Sequence, residues 1–236
     1  MPKDVDRPAS ALVRDRLELF HGVLGTEFAR VWAHADQARV YPAFMTMVYR
    51  IIRASVPLMA AAQSEAARRA HDAGGDALCA MLADYFAEHC IEERDHDIWT
   101  LEDLAAIGED AEAIAAQMPA PEIAAMAGAQ YYWIHHHHPV CLLGYIAVLE
   151  GRPPSPEHID RVQARTGLPD AAFRTYRYHA VVDQTHRDDL DALIDRLPLT
   201  ERELGWIGMS AIQTIAAYRI CVQRMLDGLG ARDAGA

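Results

Sequence analysis

One segment of the chain carries imidazole and carboxylate side chains at helical spacing. His179, Asp183 and His186 stand at i, i+4 and i+7, which on an α-helix places them within an arc of about 60°. Two imidazoles and a carboxylate on one face suit borderline transition metals such as iron or manganese. The alternative is a solvated polar face, to which the neighbouring residues 187–189 belong.

A second segment, residues 92–96 (EERDH), contains a glutamate and a histidine three positions apart. Glu93 and His96 form the E-x-x-H pair with which helical bundles build di-iron sites. Glu92 also lies one turn from His96 and competes for the same role, and an exposed charged turn accounts for the segment without a metal. His89 extends the same face, and we interpret it as a core or outer-sphere histidine rather than a ligand.

A third candidate, Glu150, ends the apolar run 140–149 just before Gly151. The C-terminal end of a helix is already negative, so neither helix polarity nor capping favours a glutamate there. An unpaired buried carboxylate is very costly. The side chain therefore either escapes to water at the helix end or faces a cation, which is a metal ion or an arginine.

Together these segments supply three carboxylates and three imidazoles as candidate metal ligands: Glu93, His96, Glu150, His179, Asp183 and His186. Such a set is too large for one closed zinc site, but it can hold two iron ions with positions left open for oxygen and substrate. Two ferrous ions outweigh the charge of three carboxylates. We therefore expect the centre to attract an anionic partner, such as a substrate carboxylate.

The ligand pattern resembles that of the heme-oxygenase-like di-iron oxidases. The match consists of E-x-x-H, a glutamate 54 residues after that histidine in LLGYIAVLEG, and H-x-x-x-D-x-x-H about 30 residues beyond. The resemblance implies an all-α, single-domain bundle of about seven to eight helices, a fold shared with heme oxygenases, thiaminase-II-like proteins and pyrroloquinoline quinone synthase. It also implies all six residues as ligands of two Fe(II) ions with O2 as co-substrate, and leaves open whether manganese replaces one iron.

The resemblance further implies a non-heme di-iron oxidase or oxygenase of specialised metabolism. Its substrate would be a small organic acid or an amino-acid-derived compound, oxidised by C–C cleavage, desaturation or N-oxygenation, with an electron donor that the sequence does not identify. Three alternatives remain open. A heme oxygenase would use an axial histidine such as His21, a thiaminase-like hydrolase would need a nucleophilic Cys90 or Cys141, and a non-enzymatic iron-binding module would have no organic substrate.

Composition limits the class of protein and its partners. Of the 236 residues, 51% are hydrophobic and 24% are charged. A chain of this length and composition can fold and bury a hydrophobic core. A net charge of −12 disfavours nucleic acid and anionic lipid as partners. The cysteines lack C-x-x-C spacing, and residues 1–10 lack the basic and apolar regions of a signal peptide. We expect a cytoplasmic protein that binds a small molecule and not a membrane. Helical enzymes of this size are commonly homodimers.

Helices joined by short breaks must position the candidate ligands. Apolar periodicity, Gly and Pro predict one domain over 1–236, with helices over 9–35, 42–72, 76–107, 109–117, 122–151, 156–166, 169–196 and 200–228 and a frayed tail at 229–236. Pro57 and Pro139 are expected kinks, and Thr200 with Glu203 predicts a capping box. Four consecutive histidines, His135–His138, would fan around a helix, so we expect one of them near the site.

Overall fold

The structure is a computed structural model that describes residues 7–72 and 75–233. For His21 and residues 231–233 it describes the backbone only. Over those residues the chain is helical and contains no strand. Its ten α-helices are α1 (Ala9–Ala33), α2 (Gln37–His71), α3 (Ala77–Glu92), α4 (His96–Ala105), α5 (Ala111–Ala116), α6 (Pro121–His136), α7 (Leu142–Leu149), α8 (Pro156–Thr166), α9 (Arg174–Arg196) and α10 (Glu201–Asp233). The all-α prediction is confirmed, with more helices than the seven or eight expected.

The short helix α7 lies in the centre of the bundle. Seven of its eight residues are buried, from Leu142 to Val148, and it packs against α10. The two backbones come so close at Gly144 that a Cβ atom there would lie 2.2 Å from the carbonyl oxygen of Ile207. Glu150 directly follows α7. The buried position of this helix therefore places the glutamate inside the bundle, next to the neighbouring helices.

The long helix α2 runs alongside α3 and also contacts α4, α6 and α8. By length and composition alone, α2 is the one helix of the described chain that could cross a membrane. Its buried residues, which include Tyr41, Phe44 and Leu58, belong to the hydrophobic core. A core helix of a bundle passes the same test of length and composition, so the expected absence of a membrane partner stays a prediction.

Several predicted helix boundaries are wrong. α2 begins at Gln37 rather than Pro42, because the Asp36 side chain caps it by accepting a hydrogen bond from the Arg39 amide. Pro57 lies inside α2 without ending it. The packing of α2 against α3, α4 and α6 offsets the local cost of the missing amide.

The predicted helix 76–107 is interrupted between α3 and α4. Asp95, the residue before α4, adopts a left-handed conformation with φ 68°, which aspartate tolerates better than most residues. The predicted helix 169–196 likewise starts later. Residues Asp170–Phe173 form a 3-10 turn, and α9 follows from Arg174. The Thr175 amide in the first turn of α9 donates a hydrogen bond to Asp103 of α4 at 2.7 Å, so this backbone donor has a partner.

The last helix begins where the sequence predicts and extends beyond its predicted end. The Thr200 amide donates to Glu203 Oε2 at 2.9 Å, as a capping box requires. Helix α10 then continues to Asp233, past the end predicted at Gly228. Leu229 is buried, and its packing accounts for this extension. The rest of the predicted frayed tail, residues 234–236, lies outside the described residues.

Candidate metal centre

Four parts of the chain bring the predicted ligands together. Glu93 directly follows the last residue of α3, and His96 is the first residue of α4. The break between these helices keeps the two side chains adjacent, with Glu93 Oε2 3.0 Å from His96 Nδ1. Glu150 comes from the end of α7, and α9 presents the three remaining candidates.

One group of potential ligand atoms is formed by Glu93, His96 and His179. Each offers an atom that lies within 4.8 Å of the others. The rings of His96 and His179 are 4.9 Å apart and nearly perpendicular. Asp183 Oδ1 lies 3.0 Å from His179 Nδ1, so Asp183 fixes the orientation of that imidazole from within the same helix.

A second group contains His89, Glu93, Glu150 and His186, again with ligand atoms within 4.8 Å of one another. His89 Nε2 lies 3.1 Å from Glu150 Oε1. His186 Nδ1 lies 3.6 Å from Glu93 Oε1 and 3.6 Å from Glu150 Oε2. Glu93 belongs to both groups, and the arrangement therefore offers two adjacent sites that share one carboxylate.

All six predicted residues thus lie in one cluster, while their role as ligands stays a prediction. The interpretation of His89 as a core or outer-sphere histidine stays a prediction, although its ring also offers a potential ligand atom in the second group. Glu92 belongs to neither group of potential ligands. It lies beside the second group, with its Oε2 3.3 Å from His89 Nδ1 and 3.7 Å from His186 Nε2. The repeated H-x-x-x-E/D-x-x-H spacing in α3 and α9 was the sequence signal for His89.

Unpaired polar atoms show that the cluster fits cations. Glu93, His96 and His186 are at most 4% exposed. Yet Glu93 Oε1, Glu150 Oε2, His179 Nε2 and His186 Nδ1 are buried with no hydrogen-bond partner. Such atoms are rare in folded proteins because each costs free energy. Carboxylate oxygen and imidazole nitrogen are suitable donors for iron or manganese, which would satisfy them.

The carboxylates of the cluster change the pKa values of the imidazoles beside them. Burial alone would lower the pKa of His89, but Glu150, Glu93 and Glu92 raise it to about 9. Burial likewise opposes protonation of His179, yet its hydrogen bond to Asp183 raises its pKa. Burial raises the pKa of Glu150. These shifts favour protonated imidazoles beside the carboxylates, and a metal bound there would compete with those protons.

An apolar cavity of about 380 Å³ ends at this cluster. Glu93, Glu150, His179 and Asp183 form its polar end, and its walls are mostly aromatic and aliphatic, including Phe28, Trp32, Phe44, Met45, Ile51 and Tyr176. Nothing in the sequence separated these wall residues from ordinary core, because both have the same apolar periodicity.

Other candidate residues lie apart from the cluster. His135, His136 and His137 are exposed at the end of α6. The buried His138 contacts Cys79 at 3.5 Å and lies 3.8 Å from Asp76. The expectation that one member of this run lies near the site is wrong, because the buried member packs at the start of α3, whereas the cluster lies at the end of that helix.

Neither cysteine of the hydrolase alternative is placed as an activated nucleophile. Burial raises the pKa of Cys141 to about 12 and also raises that of Cys90, which keeps both as thiols rather than nucleophilic thiolates. The Cys90 thiol faces the carbonyl oxygen of Val56 rather than a carboxylate. The side chain of His21, the proposed axial heme ligand, lies outside the described residues.

The fold and cluster define a helical protein with a buried carboxylate–imidazole centre at the end of an apolar cavity. The chain belongs to the family of iron-containing redox enzymes, whose sequence model matches residues 42–219, a range that includes all six predicted ligands. No curated protein matches the sequence.

Two solved structures share the fold. A heme-oxygenase-like domain of unknown function from Shewanella denitrificans has a TM-score of 0.79 at 18% identity, over 98% of this chain and 97% of that one. A TenA homologue from Pseudomonas syringae pv. tomato has a TM-score of 0.64 at 12% identity, over 96% of each chain. At these identities the likeness shows a heme-oxygenase-like fold and nothing about activity.

Proposed function

We propose that this protein is a non-heme di-iron oxidase that uses O2 to oxidise a small organic acid with an apolar body. Membership of the iron-containing redox enzyme family supports the redox class. The observation that carries the finer proposal is the sharing of Glu93 between two groups of potential ligands. Adjacent sites with a common carboxylate are the arrangement expected for a metal pair.

In this proposal each group of potential ligands would hold one ion. Glu93, His96 and His179, with Asp183 beside them, would hold one ion, and Glu93, Glu150, His186 and His89 would hold the other. When bound, two ferrous ions supply electrons for the reduction of dioxygen and positive charge at the developing oxygen anion.

The chain itself binds and orients the substrate. The aromatic wall formed by Phe28, Trp32 and Phe44 packs edge-to-face and would enclose an apolar body. Burial raises the pKa of Tyr176 and Tyr218, so both cavity-lining phenols stay neutral. The volume lies within the range of about 300–1,000 Å³ typical of small-molecule sites.

Charge favours a substrate whose carboxylate faces the centre. Among the described residues lining the cavity, the only permanent cation is Arg152, which is exposed and paired with Glu18. Burial lowers the pKa of His158, so this second basic residue is neutral. A carboxylate inside the cavity therefore finds its positive partner at the metal ions, and the apolar body extends along the aromatic wall.

The experiment is oxygen consumption by protein loaded anaerobically with Fe(II). We expect uptake to accelerate with aliphatic acids of medium chain length, and less with the corresponding alcohols or with polar amino acids. Val48→Trp, which adds an indole to the cavity wall at a position that supplies no candidate ligand, should retain bound iron and lose this acceleration. Oxygen uptake that is indifferent to every organic compound would indicate an iron-binding module, and a Soret band in the isolated protein would indicate heme.

A further inference from the structure

The candidate centre is open on a second side. A cavity of about 250 Å³ is lined by Tyr85, Glu88, His89, Glu92, His186 and Asp189, and we call it the acidic vestibule. It shares no lining residue with the apolar cavity. Two of its residues, His89 and His186, belong to the second group of potential ligands. The candidate centre therefore lies between the apolar cavity on one side and the acidic vestibule on the other.

The vestibule is negatively charged and exposed at its rim. Glu88, Glu92 and Asp189 are all exposed, and Arg196 is the one basic residue of fixed charge among the described lining residues. Glu92 connects the rim with the interior, because its side chain is 43% exposed while its Oε2 lies 3.3 Å from His89 Nδ1. The rim can attract a cation, and Glu92 can reach both solvent and the imidazoles.

The floor of the vestibule carries an unpartnered polar atom, which is an observation independent of the acidic rim. The Tyr85 hydroxyl is buried without a hydrogen-bond partner, and the Tyr85 ring stacks on the His89 ring with centroids 5.4 Å apart. His186 is 3% exposed, and its Nε2 faces the rim, 3.7 Å from Glu92 Oε2. Buried polar atoms at the end of a charged opening indicate that a polar or ionic species arrives there.

We propose that the acidic vestibule is the entry route of the divalent metal ions, an inference that rests on the proposed function. Glu88, Glu92 and Asp189 attract the hydrated cation, and Glu92 delivers it to His89 and His186. Carboxylate oxygens bind hydrated divalent cations readily, and a negative opening raises the rate at which cations arrive. Entry through the apolar cavity would strip the ion of water without replacing its ligands, which is costly.

The test measures uptake of Co(II) by stopped-flow absorption at low ionic strength. The variant Glu88→Gln, Glu92→Gln, Asp189→Asn removes the acidic rim. A matched control, Glu109→Gln, Glu112→Gln, Asp227→Asn, removes the same charge from exposed positions outside the vestibule. We expect uptake by the rim variant to be slower by about tenfold or more, with the control within about twofold of the unmodified protein and the difference shrinking as salt increases.

Two further results separate this inference from the proposed function. The rim variant should still bind two Co(II) ions at equilibrium, and Val48→Trp, which adds an indole to the wall of the apolar cavity, should leave the uptake rate unchanged. Equal rates in the rim variant and its control would overturn the vestibule as the entry route, as would slow uptake in Val48→Trp alone. Failure of the unmodified protein to bind any Co(II) would instead refute the metal centre on which both proposals rest.

Discussion

The contact between α7 and α10 at Gly144 predicts a large effect from one added methyl group. A Cβ at this position would lie 2.2 Å from Ile207 O, 2.8 Å from Ala211 N and 3.0 Å from Ser210 Cβ. Two of these are backbone atoms, so no rotamer change relieves the overlap, and α7 must move by about 1 Å to restore ordinary contact distances. Overpacking of this kind costs about 3 kcal/mol. The better helix propensity of alanine offsets about 1 kcal/mol. The net loss in Gly144→Ala is therefore about 2 kcal/mol.

Urea denaturation at 25 °C measures this loss against a matched control. Gly128 lies in α6 with nothing within 4 Å of an added Cβ, and Gly128→Ala should raise stability by up to about 1 kcal/mol. Because Glu150 follows α7, the same displacement should weaken Co(II) binding in Gly144→Ala but not in Gly128→Ala. If the two variants are equally stable and bind Co(II) equally well, the close packing of α7 and its role in placing Glu150 are refuted.

Three further predictions concern ion pairs, helix starts and metal-dependent order. The guanidinium groups of Arg68 and Arg69 lower the pKa of Glu65 to about 2 from 4.5, so its stabilisation, about 1 kcal/mol, is full above about pH 4.5 and is lost as pH falls toward 2. Urea titrations of Glu65→Gln and the unmodified protein should differ at pH 7, with a gap that narrows as pH falls below about 4.5 and closes only below about pH 2. A gap that stays the same from pH 7 to pH 2 would contradict this ion pair. Asp103→Ala leaves the buried Thr175 amide unpaired and should cost about 2 kcal/mol, whereas Asp103→Asn, which keeps an acceptor, should lose clearly less; equal losses would contradict the assigned hydrogen bond. Amides of residues 175–190 should exchange faster in metal-free than in iron-loaded protein, because the metal neutralises repulsion between buried carboxylates, and unchanged protection would argue against a metal there.

Much of the fold follows from local signals in the sequence. Ser155 caps α8 and Glu203 caps α10 as their residue types predict, and apolar spacing identifies the buried faces of the long helices. The missed features depend on contacts between distant segments. Pro57 stays helical because α2 packs along its length, and the break at Asp95 needs no glycine or proline because aspartate adopts the left-handed conformation there.

Part of the candidate metal centre could also be predicted from local signals in the sequence. Spacing identified the three-residue face of α9, and the position of Glu150 at the end of an apolar run marked it as a candidate ligand, a role that stays a prediction. Sequence could not assign His89, because its second-group role depends on the end of α7 approaching α3, which brings Glu150 Oε1 within 3.1 Å of its ring. Nor could it distinguish Phe44 as a cavity wall from Phe86 as core, since both occupy apolar helical positions.

Anaerobic Fe(II) titration followed by Mössbauer spectroscopy tests the central claim most directly, because Glu93 is the one residue common to both ligand groups. The unmodified chain should bind two ferrous ions, Glu93→Ala should lose both sites, and His96→Ala should weaken only one. A chain that saturates with a single iron, or a Glu93→Ala protein that still binds two, would contradict the account.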